Sequence, residues 1–111
     1  MEVSVKCEAR HICIRLSGEL DHHSAKGLLR RLDQEIEKAL PTQLTLDLSG
    51  VTFMDSSGIG VLLNRYKQMK AGHTSLYGAC PQVMRVLKVA GILGLMHQYE
   101  SKEEAIYSRE V

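Results

Sequence analysis

The chain has 111 residues, a length that suits one domain with a hydrophobic core and excludes two such domains. Hydrophobic residues make up 44% and charged residues 24% of the sequence, which excludes a disordered chain. The formal net charge is +1, so no overall field recruits nucleic acid or an anionic membrane. The sequence contains neither a signal-peptide pattern at its start nor the roughly 20 apolar residues of a membrane span. We therefore expect a cytoplasmic protein that binds neither nucleic acid nor membranes.

The cysteines and aromatic residues indicate what kind of core the chain builds. Cys7, Cys13 and Cys80 form no C-x-x-C pair, and their odd number argues against a disulfide framework. Cys7 and Cys13 lie in apolar-alternating segments, so we interpret them as small buried hydrophobic residues. Because the chain lacks Trp and has Phe53 as its single Phe, we expect a core of Leu, Ile, Val and Met.

The first half of the chain predicts a hairpin, a helix and a strand. Apolar residues alternate with polar ones over residues 3–7 and again over 12–18, which is the pattern of two hairpin strands. From Asp21 to about Pro41 they recur every three or four residues, as in an amphipathic helix. Residues 44–48 alternate again, and Ser49-Gly50 separates them from an apolar stretch, 51–54, that we interpret as a buried loop.

The second half alternates helices and strands. A helical stripe begins after Asp55-Ser56-Ser57 and ends near Gly72, and residues 74–80 read as a strand. Pro81 is well placed in the first turn of the next helix, which Gly91 and Gly94 end.

Two short elements complete the predicted order. Residues 95–99 form a plausible last strand, and Ser101 with Glu104 matches a capping box that opens a final helix. The resulting order, β-β-α-β-α-β-α-β-α, predicts an α/β fold in which helices pack on a mixed sheet. We expect a single domain over residues 1–111.

The stretch 53–60 lies where a predicted strand ends and a helix begins. A purely structural interpretation is available, since either the Asp or a Ser of Asp55-Ser56-Ser57 can cap the helix. One cap residue suffices, however, and Gly58 and Gly60 each lower helix stability by about 1 kcal/mol. Both glycines keep the surface beside the serines bare, as close approach by another molecule requires.

A hydroxyl at this position is also a favourable phosphorylation site. Free amides and the helix dipole stabilise a dianion at a helix N-terminus. A phosphoserine adds roughly −1.5 to −2 charge. Next to Asp55, that charge creates an acidic surface that a partner matched to the neutral form rejects. The chemistry alone leaves open whether Ser56 or Ser57 is the acceptor.

The loop 19–24, after the second strand, is a second candidate surface. Strands of an α/β sheet gather their following loops at one edge, so we expect Asp21 near Asp55 and Ser56. Asp21 or Ser24 caps the first helix, and a partner contact by Asp21 is an additional role that stays open. Adjacent His22 and His23 do not share a helix face, and no acidic or Cys cluster completes a metal site, so we expect no metal.

The sequence motifs give little support for nucleotide binding or for catalysis. The pair Gly58 and Gly60 fails the G-x-G-x-x-G fingerprint, because position 63 is Leu63, and no Walker lysine is present. We therefore expect no cofactor. Ser56 lacks a G-x-S-x-G setting for a nucleophile, although a phosphocarrier or hydrolase that turns over at Ser56 remains an alternative of a different class.

Two motifs, FMDSSGIG at 53–60 and GELDHH at 18–23, resemble the STAS-domain anti-sigma factor antagonists. The resemblance is strongest to the sporulation members, which antagonise the anti-sigma F factor. The helix continuation at 65–68 agrees, and the pattern of elements extends the resemblance from Val3 to the final helix.

The resemblance implies a STAS fold and a non-enzymatic, phosphorylation-switched regulator. The unmodified antagonist binds an anti-sigma factor, which is also a serine kinase, and thereby releases sporulation sigma factor F. That kinase phosphorylates the first Ser after the Asp, here Ser56, and binding is lost until a PP2C-type phosphatase restores it. The free antagonist is a monomer. The alternative within the family is a general stress-response sigma circuit.

The resemblance and the motif together give a set of site residues. Ser56 is the expected phosphoacceptor, and Ser57 is interpreted as helix-start structure. The expected partner-binding residues are Asp21, Asp55, Ser56, Ser57, Gly58, Ile59 and Gly60.

Overall fold

The computed structural model describes residues 1–69 and 73–99. The strands in chain order are β1 (Glu2–Glu8), β2 (His11–Leu20), β3 (Gln43–Met54), β4 (Thr74–Tyr77) and β5 (His97–Tyr99). The helices are α1 (His22–Ala39), α2 (Ser56–Met69) and α3 (Pro81–Val89), followed by a 3-10 helix over Ile92–Gly94. This order agrees with the predicted one through the fifth strand. The final helix predicted from Ser101 lies outside the described residues.

The five strands form one mixed sheet in the order β1-β2-β3-β4-β5. β1 and β2 pair antiparallel as the predicted hairpin, whose turn places Ala9 and Arg10 at φ angles of 51° and 66°. The other neighbours, β2–β3, β3–β4 and β4–β5, are parallel. Parallel neighbours need a crossover, which α1 provides between β2 and β3 and α2 between β3 and β4. The α/β prediction is confirmed.

The core lies between the helices and one face of the sheet, and it is aliphatic as predicted. Alternate residues of β2 and β3 point into it, while α1 contributes residues spaced by three or four. Each such side chain contributes about 1.5–3 kcal/mol when it is fully buried. Central members are Ile12, Ile14, Leu16, Leu28, Leu32, Leu44, Leu46, Leu48 and Leu62.

The buried loop predicted at 51–54 is wrong, because β3 continues without a break to Met54. Irregular pairing with β2 around Ser17 and Gly18 lets the strand pass Gly50. A Cβ at Gly50 would collide with Ser17 Oγ and lie 2.9 Å from the Leu16 carbonyl oxygen. Gly50 therefore permits close strand contact and does not end the strand.

Two further burial predictions are wrong. Phe53 is 39% exposed, because Val51 and Met54 are the residues of this stretch that point into the core. Cys7 is exposed and Cys13 is partly buried. Cys7 lies near the end of β1, a strand at the edge of the sheet, where burial is incomplete throughout.

A buried arginine side chain of α2 forms an ion pair with α1. Arg65 of α2 is 1% exposed, and its Nη1 lies 2.7 Å from Oδ1 of Asp33 on α1. Nη2 donates to Asn64 Oδ1, whereas Nε has no partner among the described residues. Since a buried charge is costly without its counter-ion, Asp33 keeps the two helices in register.

The opposite face of the sheet is polar. His11 Nε2 lies 2.6 Å from Thr45 Oγ1, which lies 2.9 Å from Ser75 Oγ. The Tyr77 hydroxyl donates a 2.7 Å hydrogen bond to Asp47 Oδ2. Burial and this bond raise the pKa of Tyr77 above its ordinary value. Burial acts to raise the pKa of Asp47, but hydrogen bonds from Ser49 and Tyr77 outweigh it, and the pKa is lowered.

Replacing Tyr77 with Phe removes this bond and leaves the buried Asp47 carboxylate short of a donor. At pH 7 we expect Tyr77→Phe to lower the free energy of unfolding by about 1–2 kcal/mol. The folded state holds the phenol proton more tightly than the unfolded state, so the wild type loses stability as the pH rises above about 10. The deficit of the variant therefore shrinks above that pH.

Urea unfolding of both proteins at pH 7 and at pH 11 measures the two effects. Tyr66→Phe serves as the control, since the Tyr66 hydroxyl has no hydrogen bond within residues 1–69 and 73–99. A stability deficit for Tyr77→Phe that is the same at both pH values would contradict the role given to the Tyr77–Asp47 bond.

Candidate functional site

The site begins where β2 and β3 end. These strands are parallel, and their last residues, Leu20 and Met54, lie opposite each other in the register. α1 and α2 start immediately beyond, at His22 and Ser56. The expectation that the loops after the second and third strands meet at one edge is confirmed.

Asp55 joins the two helix starts. Its Oδ1 accepts from the backbone N–H of Ser57 at 2.8 Å and of Gly58 at 3.4 Å, so Asp55 caps α2. Its Oδ2 accepts from the N–H of His22, the first residue of α1, at 3.3 Å. The Asp55 N–H in turn donates to the Leu20 carbonyl oxygen at 3.3 Å. The sequence left open whether the Asp or a Ser caps this helix, and in the structure the cap is Asp55.

Asp21 and Ser24 together cap α1 in a capping box. Asp21 Oδ1 accepts from the N–H groups of His23 and Ser24 at 3.0 and 3.1 Å, and Ser24 Oγ accepts from the Asp21 N–H at 3.0 Å. The Ser24 amide is the main cause that lowers the pKa of Asp21. The predicted capping role is confirmed for both residues, while a partner contact by Asp21 stays a prediction.

Ser56 is the exposed hydroxyl of this edge. It is the first residue of α2, and its side chain makes no hydrogen bond to the residues that the structure describes. Ser57 is half-buried, and its backbone N–H is held by Asp55. The geometry therefore offers Ser56 to a modifying enzyme more openly than Ser57.

The two glycines that follow have different roles. Gly58 is buried, and a Cβ there would lie 2.6 Å from Met54 Cγ and 2.9 Å from Leu20 Cγ. Packing against the strand ends therefore requires glycine at 58, and the interpretation that this residue keeps the surface bare is wrong. Gly60 is exposed, and no atom lies within 4 Å of the place its Cβ would take. The interpretation that glycine keeps the surface bare therefore holds for Gly60. Ile59 is 9% exposed.

The histidines do not assemble a reactive centre around Ser56. His11 contacts Thr45, and His73 Nδ1 lies 2.8 Å from the Thr42 carbonyl oxygen, both at the opposite end of the parallel strands. Within the described ranges, no group of three His, Cys, Asp or Glu side chains has metal-site geometry. His22 and His23 begin α1 at this edge. Within the described residues, however, neither they nor any other side chain that could act as a base forms a hydrogen bond with the Ser56 hydroxyl.

Comparison with known proteins identifies the domain. A family model for the STAS domain matches residues 2–105. The chain belongs to the STAS domain family. This STAS domain is 36% identical over 102 residues to the anti-sigma F factor antagonist of Paenibacillus polymyxa, covering 90% of this chain and 87% of the relative. It is 29% identical to the anti-sigma-B factor antagonist of Bacillus subtilis, covering 83% and 84% of the two chains.

Solved structures give the same grouping. Unphosphorylated SpoIIAA, an anti-sigma factor antagonist, superimposes with a TM-score of 0.82 at 31% identity over 99% of this chain and 98% of its own. The phosphorylated form of Bacillus SpoIIAA gives 0.72 at 30% identity, over 96% and 98%. These relatives place this STAS domain with the anti-sigma factor antagonists, a group of regulators and not of enzymes, which confirms the predicted non-enzymatic role.

Among the described residues, no helix of this STAS domain is both long and apolar enough to cross a bilayer.

Two features of the structure were not predicted from the sequence. The bond from the His22 amide to Asp55 depends on strand register, and no local pattern indicates it. The buried Arg65 had a weak signal, because it interrupts the apolar stripe of α2 between Leu62 and Met69 on the face that packs.

The two glycines permit a matched test of stability. Gly58→Ala is expected to lower the free energy of unfolding by about 1–3 kcal/mol, because the new methyl group overpacks Leu20 and Met54. Gly60→Ala meets open space and gains helix propensity, so it is expected to raise that free energy by up to about 1 kcal/mol. Urea unfolding of both variants measures the difference, and equal effects would refute the distinct roles.

Proposed function

We propose that the protein is a phosphorylation-switched antagonist of an anti-sigma factor. The unphosphorylated domain binds an anti-sigma factor that is also a serine kinase, and the sigma factor held by that kinase is released. Phosphorylation of Ser56 by the same kinase ends the binding. The observation that carries this proposal is the position of Ser56, exposed and without a hydrogen bond within the described residues, as the first residue of α2 in the FMDSSGIG motif.

The acceptor residue follows from exposure and from the capping bonds. A kinase must bring a hydroxyl to the γ-phosphate of ATP, and Ser56 is available without any change of the backbone. Ser57 is half-buried and tied through its amide to Asp55. Support also comes from SpoIIAA, a relative at 30–31% identity whose phosphorylated and unphosphorylated forms have both been solved.

The proposed switch acts through charge. The expectation of free amides at this helix start is wrong for Ser57 and Gly58, because the Asp55 carboxylate already accepts from both, so these two donors are not available to a phosphate on Ser56. A phosphoserine brings roughly −1.5 to −2 charge to a surface that already carries Asp55 and Asp21. A hundredfold loss of affinity requires about 2.7 kcal/mol, which like-charge repulsion and desolvation of a dianion at an interface readily supply.

The partner surface is proposed to be the edge itself. Asp21, Ser56, Ser57 and Gly60 offer exposed or half-buried contacts there. Gly58 and Ile59 are buried and, with Asp55, set the shape and position of the helix start beneath that surface.

The circuit is proposed to be that of sporulation sigma factor F. Two anti-sigma F factor antagonists are 36% and 35% identical to this chain, whereas the anti-sigma-B factor antagonists reach 26–29%. The general stress circuit is the alternative.

The proposal includes a PP2C-type phosphatase that restores the active form, a free monomer, and action in the cytoplasm, where transcription takes place.

The proposal is tested by phosphosite mapping. The purified protein is incubated with ATP and its candidate anti-sigma kinase, and mass spectrometry locates the phosphate. One phosphoryl group on Ser56 is the expected result. Phosphate on Ser57 would move the switch by one residue, and no modification by an active kinase would overturn the proposal. A phosphoprotein that loses its phosphate within minutes after purification would indicate a phosphocarrier.

Three variants separate the contribution of the hydroxyl from that of charge. Ser56→Ala is expected to bind the kinase like the wild type and to resist phosphorylation, because it removes only the acceptor. Ser56→Asp is expected to bind about tenfold or more weakly, since it places a charge at the interface. Ser57→Ala is the control and remains a substrate. Calorimetry of each variant with the kinase measures affinity, and equal affinities for Ala and Asp at 56 would rule out charge as the switch.

A further inference from the structure

The first half of α1 carries three cationic side chains and no acidic one. No acidic residue occurs between His22 and Leu32, and the first acidic residue of the helix is Asp33. The basic side chains of this half are His22, His23, Lys26, Arg30 and Arg31.

The acidic residues that follow do not neutralise this half. Glu35 forms an ion pair with Arg31, with 3.3 Å between Glu35 Oε1 and Arg31 Nε. Asp33 forms an ion pair with the buried Arg65, with 2.7 Å between Asp33 Oδ1 and Arg65 Nη1. Within residues 1–69 and 73–99, no carboxylate pairs with Lys26 or Arg30, and both side chains are exposed. Two uncompensated cations thus lie one turn apart on the same helix face.

Gly27, next to Lys26 in the chain, leaves the helix bare on the flank that faces β1. It is exposed, and no atom lies within 4 Å of the place a Cβ would take, so packing in this domain does not require glycine there. Glycine inside a helix is less stable than alanine. Gly27 borders a groove of about 300 Å³ between α1 and β1, whose apolar floor includes Met1, Val3 and Leu28.

This basic surface is continuous with the Ser56 edge. α1 begins at that edge, where the His22 N–H donates to Asp55. At 1.5 Å per residue, Lys26 and Arg30 stand about 6 and 12 Å further along the helix axis. A partner seated over Ser56 therefore reaches Lys26, Gly27 and Arg30 without leaving the surface.

We propose that Lys26, Gly27 and Arg30 form a second docking contact that receives an acidic segment of the same kinase. This contact rests on the proposed function. The exposed cations attract the acidic segment, and the bare helix at Gly27 lets its backbone approach. Since the cations lie at least a turn away from Ser56, they accelerate association and are not themselves the switch.

The test compares two charge-reversal variants that carry the same change in net charge. Lys26→Glu/Arg30→Glu alters the proposed contact, and Lys38→Glu/Lys67→Glu alters exposed lysines in the last turns of α1 and α2. Surface plasmon resonance measures association and dissociation of each unphosphorylated protein with the purified kinase at low and high salt. Thermal unfolding accompanies every measurement.

We expect Lys26→Glu/Arg30→Glu to lower affinity at low salt about tenfold or more, mainly through slower association, and to weaken its salt dependence. The control is expected to stay within about twofold of the wild type. The melting temperature of the test variant should stay close to that of the wild type, because both side chains are exposed and form no ion pair within the described residues. Loss of affinity therefore reports the contact and not misfolding.

Gly27 supplies a second, uncharged test. Gly27→Gln is expected to weaken binding while raising the melting temperature, because the longer side chain fills the bare surface and favours helix. Unchanged affinity in both Gly27→Gln and Lys26→Glu/Arg30→Glu, with wild-type salt dependence, would overturn the docking contact and leave the Ser56 switch intact. A wild-type protein that neither binds the kinase nor accepts phosphate would overturn the proposed function and this contact with it.

Discussion

The parallel pairing of β2 with β3 is the constraint on which the rest of the site depends. It places Leu20 opposite Met54, so two strands far apart in sequence end at the same height. α1 and α2 then start side by side, and one carboxylate, that of Asp55, reaches amides of both helices. A shift of one residue in this register would turn core side chains toward solvent and separate the helix starts.

The edge combines polar side chains held by capping bonds with one uncommitted hydroxyl. The side chains of Asp21, Ser24 and Asp55 are engaged in capping bonds, and Gly58 packs tightly against the strand ends. Ser56 stands on this framework with an uncommitted hydroxyl within the described part of the chain. In the proposed switch, a phosphate on Ser56 changes the charge of this surface and needs no rearrangement beneath it.

Periodicity was sufficient for the order of elements through β5, because that order depends on local patterns. It failed at residues 51–54, where Ser49-Gly50 resembles a turn but Gly50 serves close strand contact. It failed also for Cys7, whose burial depends on how far the helices extend over the sheet edge. The bond between Asp55 and the His22 amide is a product of strand register, which a single sequence does not encode locally.

The ion pair between Arg65 and Asp33 restricts how the sequence can change over time. Loss of Asp33 alone leaves an unneutralised guanidinium between the helices, whereas an apolar residue at 65 removes the need for the acid. Descendants of this sequence are therefore expected to change positions 33 and 65 in a fixed order, with the arginine replaced first. Covariation between these two positions would mark the contact of α1 with α2.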